Sequence, residues 1–260
     1  MEERKKIEAE FHNKWRDEKL RKNNPDEDKR LSFSKKFYSI TRASWGFLNG
    51  WILERCKNTK VLDYCCGDGD FSIFLAKNKA KVTGIDISSV SIKRAKRESI
   101  NQGVEENTSF LVMDAEKLEF PDNYFDIIVC NGVLHHLDIK KAYPELMRVI
   151  KLDGKIICDE PLFYNPIFQL YRKMTPHLRT RWEMEHILTK KEIELARKYF
   201  NNVETRFFHL FTLMAVPFRN LKSFNSILGF FERVDSILLK LPVFKWLAWQ
   251  VIFILSKPKK

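Results

Sequence analysis

The chain has 260 residues, 44% hydrophobic and 31% charged, with nine Gly and nine Pro, which excludes a disordered, collagen-like or low-complexity polypeptide. Five Cys, two of them adjacent at Cys65 and Cys66, have no spacing for a disulfide framework or a zinc site, so a reduced intracellular setting is expected and no metal is assigned. The net charge of +12 is uneven: residues 161–260 hold 17 basic against 7 acidic side chains and twelve of the 21 Phe, whereas residues 37–160 are nearly neutral.

The first residues, MEERKKIEAEFHNKW, lack the apolar core of a signal peptide. Residues 1–24 predict a charged helix with Ile7, Phe11 and Trp15 on one face, ended by Asn23-Asn24-Pro25. A second helical stretch over 34–55 has Phe37, Ile40, Trp45, Leu48 and Ile52 as apolar anchors. The run 60–65 reads as a strand, stopped by Gly67-Asp68-Gly69 and followed by a helix to Lys79. Strands recur at 81–86, 109–113, 125–130 and 154–158, with helices over 89–102 and about 138–150 between them. This alternation predicts an α/β fold, a doubly wound sheet of parallel strands joined by right-handed crossovers.

After Pro161 the rhythm breaks. Residues 161–188 hold three Pro among aromatic and basic groups and read as an insertion. A helix over 190–200 and a strand over 203–211 resume the core, residues 219–241 have apolar positions at helical spacing, and a last strand covers 248–255. The apolar stretch 237–255 is interrupted by Lys240, Pro242, Lys245 and Gln250 and does not make a bilayer span. There is no internal repeat.

In an open parallel sheet, ligands bind beyond the carboxyl ends of the strands. Here those positions are acidic: Asp63 ends strand one, Asp86 ends strand two and Asp114 follows strand three. Gly67 and Gly69 let backbone approach a ligand closely. Asp86 suits both hydroxyls of a ribose and Asp114 an exocyclic purine amine, so one adenosine explains both carboxylates. Each residue alone also suits a bland role, such as a helix cap; the ordered set is the specific signal. A dinucleotide site requires GxGxxG directly after strand one, and a Walker loop requires Gly-Lys-Ser/Thr; neither is present. Clustered Asp63, Asp68 and Asp70 repel pyrophosphate and suit an ammonium or sulfonium. That chemistry points to S-adenosylmethionine, with S-adenosylhomocysteine as product.

The segments VLDYCCGDGDFS, VTGIDIS, FLVMDAEKLEFPDNYFDIIVCNGVLHHL and KLDGKIICDEP resemble the successive signatures of class I S-adenosylmethionine-dependent methyltransferases. The likeness is greatest to the small-molecule branch that includes quinone-biosynthesis enzymes. The resemblance implies a Rossmann-like methyltransferase fold, a seven-stranded, mostly parallel sheet with a reversed final hairpin supplied by 203–211 and 248–255. It implies a division into an N-terminal helical lid (1–56), a cofactor-binding core (57–160), a substrate-side insertion (161–188) and a C-terminal completion (189–260) with an amphipathic helical insertion (212–246). By resemblance, Asp63, Gly67 and Gly69 line the methionine end, Asp86 binds ribose, Ile87 covers adenine, Asp114 and Ala115 read the base edge, and Cys65 and Asn131 complete the cofactor set. Cys65 stands where the family usually has Gly. Flanking pieces are similar to a narrower bacterial-type subgroup: Glu10 to Trp15 resembles its lid helix, and Asn165-Pro166, Tyr171-Arg172, Thr175-Pro176-His177, Arg179-Thr180 and Glu185-His186 resemble its insertion after strand five.

Methyl transfer is an in-line displacement that needs alignment, exclusion of water and, for a hydroxyl or acidic carbon, a base. The candidate catalytic residues are His135, His136, Glu160 and His186; His135-His136 equally suit a structural pair at a helix start. Candidate acceptor-binding residues are His12, Trp15, Tyr38, Asn165, Arg172, His177, Arg179 and Glu185, with the two arginines suited to an anionic group. The expected acceptor is a small molecule, hydrophobic or lipid-linked, in a cytoplasmic enzyme whose basic, aromatic C-terminal region suits peripheral membrane contact. A nucleic-acid methyltransferase is the second reading, drawn from the basic C-terminal region. Against it, strand four lacks an Asn/Asp-Pro-Pro-aromatic segment and no Pro-Cys nucleophile is present. A non-catalytic cofactor-binding protein is the third, supported only by Cys65.

Overall fold

The computed structural model describes residues 2–16, 36–176 and 179–260, apart from the side chains of residues 15 and 16. Seven strands form one sheet: β1 (Lys60–Tyr64), β2 (Lys81–Asp86), β3 (Thr108–Val112), β4 (Phe125–Asn131), β5 (Ile150–Pro161), β6 (Phe200–Phe208) and β7 (Gln250–Pro258). Their order is β3-β2-β1-β4-β5-β7-β6. The first five are parallel, and β7 runs antiparallel between β5 and β6. The expected seven-stranded sheet with a reversed last hairpin is present, each hairpin strand displaced a few residues from its sequence bounds. The reason is the backbone ladder: Phe200 pairs with Pro258 and Asn202 with Ser256, so the pairing begins ahead of the apolar run of β6 and continues past that of β7.

The central strands read as unbroken apolar runs because helices cover both faces. On one face, α2 (Arg42–Leu53) and α3 (Asp70–Lys77) bury Leu48, Ile52 and Leu75 against Val61, Val129 and Ile252. On the other, α5 (Ile139–Val149) buries Tyr143 and Leu146 against Ile128 and Ile156. Between these, α4 (Ser89–Asn101) follows β2 and starts at Ser88, whose hydroxyl accepts from the Ser91 amide. Gly69, at the start of α3, has φ of +84°, and a Cβ there would lie 2.7 Å from the Ala95 Cβ. Only Gly fits that turn, which brings α3 against α4.

The N-terminal helix α1 (Glu3–Arg16) lies over the carboxyl ends of the strands; the expected continuation to residue 24 lies outside the described residues. The insertion after β5 forms α6 (Pro166–Met174) and the short α7 (Arg181–Glu185). The expected helix 190–200 is α8 (Lys190–Leu195) plus a 3-10 turn at Ala196–Lys198. The C-terminal insertion is a 3-10 segment (Thr212–Phe218), α9 (Phe224–Leu238) and α10 (Pro242–Lys245). No helix among the described residues is long and apolar enough to cross a membrane.

Candidate active site

Two cavities meet above the carboxyl ends of β1, β2, β4 and β5. The smaller, about 160 Å³, is lined by Asp86, Ile87, Asp114, Ala115 and Cys65 below and by residues of α1 above. The larger, about 540 Å³, is walled by Phe37, Phe168, Tyr171 and Trp249, with Arg172, Arg179 and Asp159. His12, Asn131, Gly132 and His136 line both, so a group passing between bound molecules would pass there.

The loop after β1 and the end of β2 are tied by one carboxylate. Asp86 Oδ2 accepts from the Gly67 amide at 2.9 Å and Oδ1 from the Ser88 amide at 2.8 Å. A carboxylate can accept several hydrogen bonds at once, which is the chemistry a vicinal diol needs. Gly67, with φ of +56°, lines a shallow groove with Cys66, Asp68 and Asp70 that reaches the smaller cavity at Cys65 and Asn131. Cys65 itself has φ of +61°, so the turn keeps the left-handed geometry that favours glycine and carries a thiol there at a cost of about 1–2 kcal/mol. Asp63 lines neither cavity. It is buried, accepts from the Ser72 hydroxyl at 2.6 Å, and is pushed up to about 6 by burial and by nearby Asp86; its contact is with α3, behind the turn.

Asp114 lines the smaller cavity, and its Oδ2 holds the Lys5 ammonium of α1 at 2.7 Å. Lys5 also reaches Glu116 at 2.9 Å, and Arg4 bonds both Glu116 and the His136 carbonyl. Glu8, on the same helix, sits between His12 and His136. Burial alone would raise its carboxyl, but the two imidazoles and the Thr180 hydroxyl hold it well below the usual carboxylate range. These α1 residues carried no sequence signal as site groups, because their core partners, Asp114, Glu116, His136 and Thr180, are more than a hundred residues away.

The four catalytic candidates separate. His136 lines both cavities, and burial lowers its pKa against the pull of Glu8. His135 also faces the larger cavity, but its Nδ1 is 2.7 Å from Glu160 Oε2. Glu160 is wholly buried: its Oε1 accepts from the Val133 and Leu134 amides at 2.8 and 2.7 Å. Burial pushes this carboxyl up and the imidazole down; the hydrogen bonds pin the turn after β4 to β5, and Glu160 lines neither cavity. His186 is exposed, stacked 3.5 Å from Trp182, and faces neither cavity.

Strand alternation explains the miss at Glu160. Its neighbour Asp159 points to the opposite face, lines the larger cavity, is 4% exposed, and has one oxygen with no hydrogen-bond partner. It pairs in register with Asn131, next to the junction. Burial, reinforced by Glu160, pushes its carboxyl up to about 7. Both acids lie near the carboxyl end of β5, and only the sheet decides which one faces the cavity.

Among the acceptor candidates, His12, Tyr38, Arg172 and Arg179 line the larger cavity. Arg179 pairs with Glu183 at 3.2 Å, whereas Arg172, 7% exposed, has no carboxylate within ion-pair distance among the described residues. Burial and the neighbouring Arg179 lower it to about 10, so it remains charged at neutral pH. Asn165 is not a cavity residue: it caps α6 by accepting from the Ile167 and Phe168 amides at 3.1 and 3.2 Å, and its amide donates to the Leu247 carbonyl. Glu185 is exposed and pairs with Arg181 at 2.9 Å. His177 and the Trp15 side chain lie outside the described residues.

The model of a methyltransferase domain matches residues 56–202 of this chain. The ubiquinone/menaquinone biosynthesis C-methyltransferase UbiE of Rickettsia bellii (strain OSU 85-389) is 40% identical over 111 residues, covering 40% of this chain and 44% of that protein. The chain therefore spans less than half the length of the curated relatives it matches. The structure is similar to that of the PH0226 protein from Pyrococcus horikoshii OT3, with 22% identity, a TM-score of 0.55, and coverage of 84% of this chain and 91% of that one. It is also similar to geranyl diphosphate C-methyltransferase from Streptomyces coelicolor A3(2), with 11% identity, a TM-score of 0.55, and coverage of 83% and 76%. With the match spanning more than half of its length, the chain belongs to the methyltransferase-domain family, the class I S-adenosylmethionine-dependent methyltransferases.

Proposed function

We propose that this protein transfers a methyl group from S-adenosylmethionine to a small acceptor that carries an anionic group on an apolar or aromatic body. The observation that supports it most is the meeting of two chemically different cavities at His12, Asn131, Gly132 and His136. Asp86 and Asp114 would hold the nucleoside on one side, with the Gly67 loop beside the amino-acid end. S-adenosylmethionine supplies, when bound, an electrophilic methyl on a sulfonium. On the other side Arg172 and Arg179 offer charge-assisted bonds to a carboxylate or phosphate, and Phe37, Phe168, Tyr171 and Trp249 cover the remainder of the acceptor. The geranyl diphosphate enzyme acts, by its name, on an anionic, apolar acceptor, and the UbiE relatives are named for ubiquinone and menaquinone biosynthesis. Asp159, near neutral in affinity for a proton, would take the proton from an acceptor hydroxyl or acidic carbon. Helix α1 and the 161–188 insertion would form the roof that excludes water.

The decisive experiment incubates the protein with methyl-labelled S-adenosylmethionine and a fractionated cell extract. Label in an anionic small-molecule or lipid fraction is the expected result. Label in RNA or DNA would replace the acceptor by a nucleic acid, and cofactor binding without label in any fraction would favour a non-catalytic protein.

Contact with an anionic membrane is the second part of this reading. On α9, Phe230, Arg233 and Ile237 follow one another at helical spacing and Lys240 lies just past the helix end, all exposed, with Phe230 and Ile237 at 62% and 65%. Leu241 and Val243 continue the apolar surface, and Lys245 stands beside it. Such a stripe suits the headgroup boundary of a bilayer. Sedimentation with phosphatidylglycerol vesicles is expected, with about a tenfold fall for the Phe230→Glu/Ile237→Glu double variant; equal sedimentation of the two proteins would remove this surface from consideration.

A further inference from the structure

Three side chains at the cavity junction form an arrangement that methyl transfer does not require. Glu8 and His12 are four residues apart on α1, so both project from one face of the helix. His136 reaches them from the turn after β4. Its Nδ1 lies 3.3 Å from Glu8 Oε2, and His12 Nε2 lies 3.7 Å from the same oxygen. All three ligand atoms fall within 4.8 Å of one another. Two bonds of about 2.1 Å at a tetrahedral angle hold their outer atoms about 3.4 Å apart, so one ion can touch all three with small ring rotations.

The atoms facing this point are otherwise unsatisfied. Glu8 is 6% exposed, and its other oxygen accepts from the Thr180 hydroxyl. Glu8 Oε2 and His136 Nδ1 are both buried without a hydrogen-bond partner, since their contact is poorly aligned for one. Two imidazole nitrogens and one carboxylate oxygen are a donor set for first-row transition ions. All three residues also line the smaller cavity, so the side opposite the ligands stays open to it.

We propose that Glu8, His12 and His136 bind a divalent first-row transition ion, typified by Zn2+, which fastens α1 to the core and leaves a coordination position at the junction for an acceptor oxygen. The ion site stands on its three ligands; only the assignment of the open position rests on the methyl-transfer reading. The Thr180 hydroxyl acts as the positioning partner of the carboxylate.

The test titrates the full chain with Co2+, then Zn2+, following visible ligand-field bands and the melting temperature. About one equivalent of Co2+ is expected to develop bands that Zn2+ removes, and Zn2+ to raise the melting temperature. Glu8→Gln and His12→Ala should each weaken binding at least tenfold, and Thr180→Ala by about tenfold; if either ligand variant fails to fold, by far-ultraviolet circular dichroism, the Thr180 variant decides. Absence of bands at excess Co2+, or bands of equal strength in the folded variants, would overturn the site. S-adenosylhomocysteine binding measured on the same wild-type sample separates the two ideas: its retention without ion uptake sinks the ion site alone, and ion uptake without it sinks the methyl-transfer reading alone.

Discussion

Asp86→Ala is expected to weaken S-adenosylhomocysteine binding by at least about 100-fold, because two hydrogen bonds to a carboxylate contribute about 1.5–3 kcal/mol each. The same change removes the acceptor of the Gly67 and Ser88 amides, so it should also lower stability by about 1–3 kcal/mol. This differs from a simple reading of the sequence, in which the residue serves the ligand alone. Calorimetric titration together with denaturant unfolding measures both quantities. A dissociation constant within a few-fold of the wild type would contradict the ribose assignment, whatever the stability.

Asp159→Asn should lower kcat by about 100-fold or more while leaving KM nearly unchanged, the usual scale for loss of a positioned base. Its stability effect has the opposite sign. The folded carboxyl titrates at about 7, above its ordinary 3.8, so the folded state binds the extra proton between those values and stability falls as pH rises through 7. A gap of that size corresponds to about 4 kcal/mol at most, and to about 1–3 kcal/mol once relaxation and water are allowed for. The Asn variant should therefore be more stable than the wild type at pH 8 and equal to it near pH 4. Wild-type activity should rise with pH through about 7, as the base form appears. Wild-type turnover by the variant, or lost turnover explained by unfolding, would remove Asp159 from the reaction.

What could be read before folding was local. Asp86 and Asp114 each follow a strand, and a strand end in a parallel sheet points to the ligand edge whatever the rest of the chain does. Both lie in the smaller cavity with Ile87 and Ala115. The final hairpin was legible for the same reason, since its apolar runs have nowhere else to pair. Side chains whose direction depends on a distant partner were not legible. Glu160 and Asp159 are adjacent, and β5 turns one into the core and the other to the cavity. Asn165, an acceptor-binding candidate by sequence, is a helix cap. Glu185 ends a short helix and His186 follows it as the cap, and both are exposed away from the site. Arg4, Lys5 and Glu8 belong to a charged helix that, by pattern alone, reads as a solvated surface, and only docking over the strand ends makes them site residues.

The ion pair between Lys5 and Asp114 has a consequence for the measured affinity. The chain offers its own ammonium to the carboxylate assigned to a purine amine, and Arg4 and Glu8 narrow the same space. A nucleoside arriving there competes with a tethered rival at high local concentration. An observed affinity for a nucleoside at Asp114 therefore includes the cost of displacing Lys5.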